Sequence, residues 1–542
     1  MKKKKTILVL RVIIWAMTVF FLLGTCYLAR HKNARRLNDL LEKPISKLDL
    51  STEQKLNDFE YFYDCLVSSV PGETMKAYEA RYGISFAQRH DLYVEAIKAT
   101  KSDLEYFCLM RAIGEEIPSF HTGIAYPSYD YYNTLGCWNI DDLLDVREIK
   151  SKSQYWNDLL YKNAKRLAEE KSMSHLFWYE EGQYRTDAGE VLVAVDGQST
   201  DALYEKLGHA KILYDDIYKR TYRNSIIFYA EPYSEGLSEK VVIKYYNAEG
   251  VLEEREVYRD IVAELLTGYA QALGVGTKTQ YYVNENPFYS YLDEKRGILY
   301  LYFTGIGRFE LQEAASVLQN TEYQSVIIDI RSNSGGVFTT VNEYLYPYLY
   351  REDIEEDYVW YMPENEYTDK MTGEWKAKKQ LAFKPSEYRA ISAAGGEQQY
   401  KESVKSVRLT GGATAKNADV YVLISNGTGS AADTLASVLK ENDAATLIGC
   451  NTGGEGLMSS FLVDYLPESG VVFTYTPERS VNRDGTDNSA YGTSPHYYVE
   501  GTYTKWEGYE SGKEDPYTYE NRLEWDAVLN KAIELIEGDA LP

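Results

Sequence analysis

Cysteine is scarce in this chain, five in 542 residues, and no Cys-x-x-Cys, His-Glu-x-x-His or mixed Cys/His spacing of zinc-site type occurs. A bound metal is therefore not expected. Cys26 falls in the first hydrophobic segment, and Cys65, Cys108, Cys137 and Cys450 are spread over most of the chain. Outside a cell, Cys65–Cys108 or Cys108–Cys137 could pair, and the spacing does not choose between them. Positive charge is also short. Lys and Arg total 58 against 82 Asp and Glu, and residues 1–36 take nine of the basic residues with no acid, which leaves 49 against 82, or −33, for the rest. A surface this acidic repels phosphate backbones, so nucleic acid is excluded as a partner.

Long hydrophobic runs number one. Val12 to Ala29 is an uncharged stretch, and Ile7 to Leu10 extend it beyond Arg11, whose long side chain can snorkel. At the helical rise, eighteen residues cover about 27 Å, most of a hydrocarbon core. No Ala-x-Ala site follows, and Leu23-Gly24-Thr25-Cys26 is a poor lipoprotein cleavage box, so the segment reads as a retained anchor rather than a cleaved signal. It is the first and only such segment and follows a Lys cluster. The expectation is a single-pass protein of the cell membrane with its C-terminal domains outside the cytoplasm, in the style of a bacterial envelope protein.

What is present is enough for several globular units: 44% hydrophobic and 26% charged residues over a length that allows three or four domains of about 150 residues. The 51 tyrosines suit the strand surfaces of a secreted protein. Ser51-x-x-Gln54, Ser85-x-x-Gln88 and Ser102-x-x-Glu105 each have the form of a capping box, so residues of about 40–115 are expected to be helical. The last helix ends at Gly114, and the loop 117–123 that follows holds His121 outside any helix. From about 170 to 265 the pattern is of short strands. Between 297 and 480 strands and helices alternate, which predicts a parallel or mixed sheet with crossover helices, interrupted by a long polar insertion at 351–418.

In such sheets chemistry gathers at the loops leaving the carboxyl ends of strands. Two loops stand out. The first, Arg331-Ser332-Asn333-Ser334-Gly335-Gly336, leaves the apolar strand 326–330, and its paired glycines allow close backbone approach and free N–H groups suited to an oxyanion. The second, Asn426-Gly427-Thr428-Gly429-Ser430-Ala431-Ala432-Asp433, sets Ser430 at a helix N-terminus, where negative charge is favoured. Each alone is an ordinary βα turn and N-cap.

Together they resemble the C-terminal-processing (tail-specific) and tricorn-core family of serine peptidases. That family carries a D-x-R-x-N-x-G-G segment, matched by Asp329 to Gly336. Farther on it carries a nucleophile in G-S/T-x-S-A-x-E, matched by Gly427 to Asp433 with Asp in place of Glu. Residues 189–197 followed by Asp-Ala-Leu-Tyr-Glu-Lys-Leu resemble a PDZ domain. Tail-specific members use a Ser–Lys dyad with the lysine in a T-F-G-K-G loop. Here that loop reads Thr452-Gly453-Gly454-Glu455-Gly456, and a carboxylate cannot act as the neutral amine. The tricorn-like branch takes its base from an N-terminal histidine, and His121 fits by order and by the His-Thr pair, without the preceding Asp. His496 falls where the family has G-V-x-P-D, which implies a structural role. A carboxylate shortly before that segment would orient the imidazole. The nearest acids are Asp487 and Asp484, with Asp487 preferred.

The resemblance implies a multidomain α/β protein: residues 1–36 an anchor and basic flank, 37–165 a helical region with the His loop, 166–270 a PDZ-like β-rich domain, and 271–542 a crotonase/ClpP-like peptidase core. It implies hydrolysis of a protein or peptide substrate by Ser430 and His121. The N–H groups of Gly335 or Gly336 and of Ala431 would hold the oxyanion, with neither metal nor organic cofactor. The alternative is a peptide-binding or sensing protein of the same fold whose chemistry has lapsed.

Overall fold

The computed structural model describes residues 47–82, 84–125, 152, 154–163, 178–180, 183–185, 189–202, 213–215, 220–222, 240–258, 286–369, 389–392, 399–416, 418–457, 461–499 and 517–539. The expected anchor and most of the Asp-Ala-Leu-Tyr-Glu-Lys-Leu segment lie outside these residues. Among the described residues no helix is long and apolar enough to cross a membrane.

All three serine boxes start structure. Ser51 and Gln54 form the reciprocal pair that opens α1 (Thr52–Ser69). Ser85 and Gln88 do the same before a short 3₁₀ turn that runs into α3 (His90–Ala99), beyond α2 (Gly72–Tyr82). Ser102 caps α4 (Asp103–Glu115), though the Glu105 carboxylate takes the Lys101 amide instead of closing the box. Because α4 is buried on nearly every face, it serves as the centre of the helical unit. Cys65 and Cys108 both lie in its core and are not joined to each other, so the first of the two disulfides considered is not formed.

Strands 178–180, 183–185, 191–195, 240–246 and 252–258 join in one antiparallel sheet, with a bulge between Leu192 and Ala194. The core follows. Strands β2 (Phe288–Asp293), β3 (Ile298–Phe303), β4 (Ser325–Asp329), β5 (Asp419–Ile424), β6 (Thr446–Gly449) and β7 (Tyr497–Tyr498) form a six-stranded sheet in that order, antiparallel at the first pair and parallel thereafter. Its strands show no polar alternation because both faces are covered. Leu299, Leu301, Phe303, Val326, Ile328, Val422 and Leu447 face the layer of α5 (Arg308–Asn320) and α6 (Ala431–Glu441). Ile298, Tyr300, Tyr302, Ile327, Leu423 and Ile448 face the C-terminal helices α7 (Tyr519–Trp525) and α8 (Ala527–Asp539). After β4 two short helices, Thr339–Tyr344 and Tyr346–Leu349, are separated by Leu345, whose backbone is non-helical.

The polar insertion is not irregular. Its strands Ile354–Pro363, Arg389–Ser392 and Gln399–Leu409 build a separate antiparallel sheet that borrows Arg479 and Ser480 as a fourth edge. A hairpin of Leu462–Tyr465 and Val472–Tyr475 receives the two-residue strand Gly123–Ile124, registered against Thr474 and Phe473. The same hairpin shares one hydrophobic core with α1 and α4, including Phe62, Phe107, Val463 and Phe473. The helical unit is thereby locked to the catalytic core, and the loop carrying His121 is brought in with it.

Candidate active site

The loop after β4 is built on ion pairs. Arg331 grips Asp329 through Nε (2.9 Å) and Nη2 (2.6 Å), and Asp526, at the start of α8, through Nη1 (2.8 Å) and Nη2 (2.6 Å). Arg522 adds a third contact to Asp526 at 3.0 Å. Burial alone would raise the Asp526 carboxyl, but Arg331 and Arg522 hold it well below the usual carboxylate range. Arg331→Met, which leaves two buried carboxylates short of a cation, is expected to cost about 3–5 kcal/mol in denaturant unfolding. A lowered carboxyl contributes stability that is complete above about pH 4 and drains away as pH falls below it. The acid limb of wild-type stability below about pH 4 should therefore be steeper than that of Arg331→Met.

Asn333 sets the next part of the loop. It is fully buried, its amide Nδ2 donates to the Phe303 carbonyl (3.0 Å), its Oδ1 accepts the Gly335 N–H (2.9 Å), and its own carbonyl accepts the Gly429 N–H (3.0 Å). The two loops are thus stitched together through one asparagine. The consequence corrects an expectation: the Gly335 N–H is already spent within its own loop and is not available to an oxyanion. Among the described residues the N–H groups of Gly336 and Ala431 have no acceptor.

Ser430 is the N-cap of α6 with φ 52° and ψ −128°, a conformation that a residue with a Cβ rarely adopts and that costs about 1–3 kcal/mol. Its side chain caps nothing. Its N–H donates to the Gly454 carbonyl (3.0 Å). Gly335 packs directly on it: a Cβ there would lie 2.6 Å from the Ser430 Cβ and 2.9 Å from the Ala431 nitrogen. Loop 452–456 is laced to the Ser430 segment by Gly453 N–H to Thr428 O (2.7 Å), Gly456 N–H to Asp433 Oδ2 (3.1 Å) and Thr452 Oγ1 to Asp433 Oδ1 (2.5 Å). Burial pushes the Asp433 carboxyl up, while those donors and Thr493 oppose the shift.

His121 arrives from the helical unit. The preceding ring, Phe120, lies against Gly429 and Gly453, either of which would clash with it if it carried a Cβ, and is still 41% exposed. The His121 ring stacks on Phe461 at 5.2 Å and 13°. Its Nδ1 is 2.7 Å from Glu455 Oε2, and its backbone N–H donates to the same oxygen at 3.0 Å. Ser430 and His121 are not hydrogen-bonded to each other. Catalytic hydrogen bonds are often long until substrate is bound.

Asp487, the acid preferred from sequence, stands elsewhere. Its Oδ1 caps the helix Asn488–Tyr491 through Ala490 N–H (2.9 Å), and its Oδ2 pairs with Arg479 Nε (2.5 Å). Burial pushes its carboxyl up to about 6, against Arg479. Asp484 is occupied in a turn with Thr486. His496 continues the sheet edge, donating its N–H to Leu447 O and accepting the Leu447 N–H on Nδ1, both at 2.9 Å, a structural role as expected. Glu455 entered the sequence reading only as a lost lysine. Its position between two glycines of the loop packed on the Ser430 segment was the available signal. No cluster of metal-binding side chains occurs among the described residues.

The family model of Peptidase family S41 matches residues 297–499. No curated protein matches the sequence. Among solved structures the chain is similar to mature CPAF complexed with lactacystin, at 13% identity over 90% of this chain and 99% of that one with a TM-score of 0.48. It is similar to the photosystem II D1 C-terminal processing protease at 14% identity, over 83% and 94% of the two chains, with a TM-score of 0.32. It is also similar to the tricorn protease at 16% identity, over 68% of this chain and 28% of that one, with a TM-score of 0.25. Both loop motifs and all but the first strand of the central sheet fall inside the matched segment, so the similarity to peptidase family S41 covers the sheet and both loops, and the chain is a serine peptidase.

Proposed function

We propose that this chain is a membrane-anchored, extracytoplasmic endopeptidase working by a Ser–His mechanism. Ser430 Oγ attacks the scissile carbonyl and His121 takes its proton. The oxyanion is received by the N–H groups of Gly336 and Ala431, and the imidazolium returns the proton to the leaving amine. Water then hydrolyses the acyl-enzyme with His121 again acting as base. The observation that carries the reading is the strained Ser430 at a helix N-terminus, with its side chain uncommitted, Gly335 packed against it and the acceptor-free N–H of Ala431 next in the chain.

Substrate would enter as an extended chain, with its C-terminus offered to the β-rich unit over 178–258 if that unit works as a PDZ domain does. Labelling by a fluorophosphonate probe tests the nucleophile. A soluble form starting after residue 36 should react at Ser430, and a folded chain that never reacts would leave only a peptide-binding scaffold. For the anchor, full-length chain should sediment with membranes and the form lacking residues 1–36 should not. Recovery of intact full-length chain in the soluble fraction would overturn that part.

A further inference from the structure

We propose that Glu455, on the loop beside the nucleophile, is the positioning residue that holds His121 in the tautomer needed for catalysis, in place of Asp487. The inference rests on Ser430 and His121 being the reacting pair. An ionised carboxylate can only accept hydrogen bonds, so the 2.7 Å contact requires Nδ1 to carry the ring proton and leaves Nε2 as the basic nitrogen. When Nε2 takes the serine proton, the imidazolium forms against a carboxylate that is only 1% exposed.

The geometry is specific to this pair. One oxygen of Glu455 receives both the ring and the backbone N–H of residue 121, with Thr476 Oγ1 at 3.4 Å as a further donor, so ring and main chain are fixed together. Phe461 covers one face of the imidazole. Glu455 itself has φ 60°, an uncommon conformation for a residue with a side chain. Its neighbour Gly454 accepts the Ser430 N–H, and its other neighbour Gly456 donates to Asp433 in the first turn of the nucleophile's helix. The carboxylate is therefore carried at a fixed offset from Ser430, while the histidine comes from the other end of the chain. A position that could not serve a Ser–Lys dyad serves a Ser–His–carboxylate arrangement.

Among the described residues the imidazole is hydrogen-bonded to the Glu455 carboxylate and stacked on the uncharged ring of Phe461. In Glu455→Gln, kcat on a peptide substrate should fall by about 10³–10⁴-fold with KM little changed. Glu455→Asp should recover part of the loss. Asp487→Asn, assayed where it is folded, should stay within about threefold. Independently of any variant, the folded wild-type protein should show a downfield proton resonance for the His121 Nδ1–H, absent from His121→Ala. If Glu455→Gln keeps wild-type kcat, or the folded protein lacks that resonance, the assignment fails, and the serine reading stands as long as Ser430→Ala is inactive. Should Ser430→Ala remain active, the underlying reading fails instead.

Discussion

Ser430→Ala should lower peptide hydrolysis by about 10⁶-fold, to whatever the oxyanion amides supply alone, and abolish fluorophosphonate labelling while thermal stability holds or rises. The stability side follows from the structure. The Ser430 side chain makes no hydrogen bond, so its removal leaves no buried partner unsatisfied, and the strained backbone is held by Ser430 N–H to Gly454 O and by Thr434 N–H to Ser430 O, which alanine keeps. A variant with undiminished labelling would show that another residue is the nucleophile. A variant that loses structure would show that Ser430 is a cap after all, contrary to its free side chain.

Gly335→Ala should also be strongly damaging, by a different route. The added methyl would fall 2.6 Å from the Ser430 Cβ, 2.8 Å from the Gly429 carbonyl and 2.9 Å from the Ala431 nitrogen, filling the space in front of one oxyanion donor, at a φ of 108° that suits glycine alone. Losing one oxyanion donor costs about 10²–10³-fold in kcat, and displacement of the serine should take the loss beyond that. Comparing kcat for hydrolysis with circular dichroism of the same sample separates the effect from unfolding. A folded Gly335→Ala enzyme with normal kcat would place the oxyanion away from Ala431.

Much of the core was legible because its signals are local. The apolar runs at 298–303, 325–329 and 419–424 are strands buried on both faces, and each of the two active-site loops follows directly from one of them. Capping serines marked the helical unit for the same reason. What escaped was set by distance. Glu455 and His121 are 334 residues apart, and a carboxylate where an amine was expected read as a loss because its partner could not be seen. Asp487 lay in the right stretch, yet Arg479 and the Ala490 N–H claim it. Gly335 and Gly336 looked equivalent until the Asn333 side chain took one of the two amides. The insertion read as polar loop because its strands expose one face and find their fourth edge at Arg479 and Ser480, far along the chain.

The short pairing of Gly123–Ile124 with Phe473 and Thr474 has a consequence for the nascent chain. Translation delivers His121 early, but its partner strand, the Glu455 loop and the Asp526 anchor of Arg331 all emerge in the last fifth of synthesis. Until then the imidazole has nothing to hold it, and contacts of such sequence separation form late. On a ribosome-bound chain the loop of His121 therefore waits for its partners, because of the order in which the parts are made.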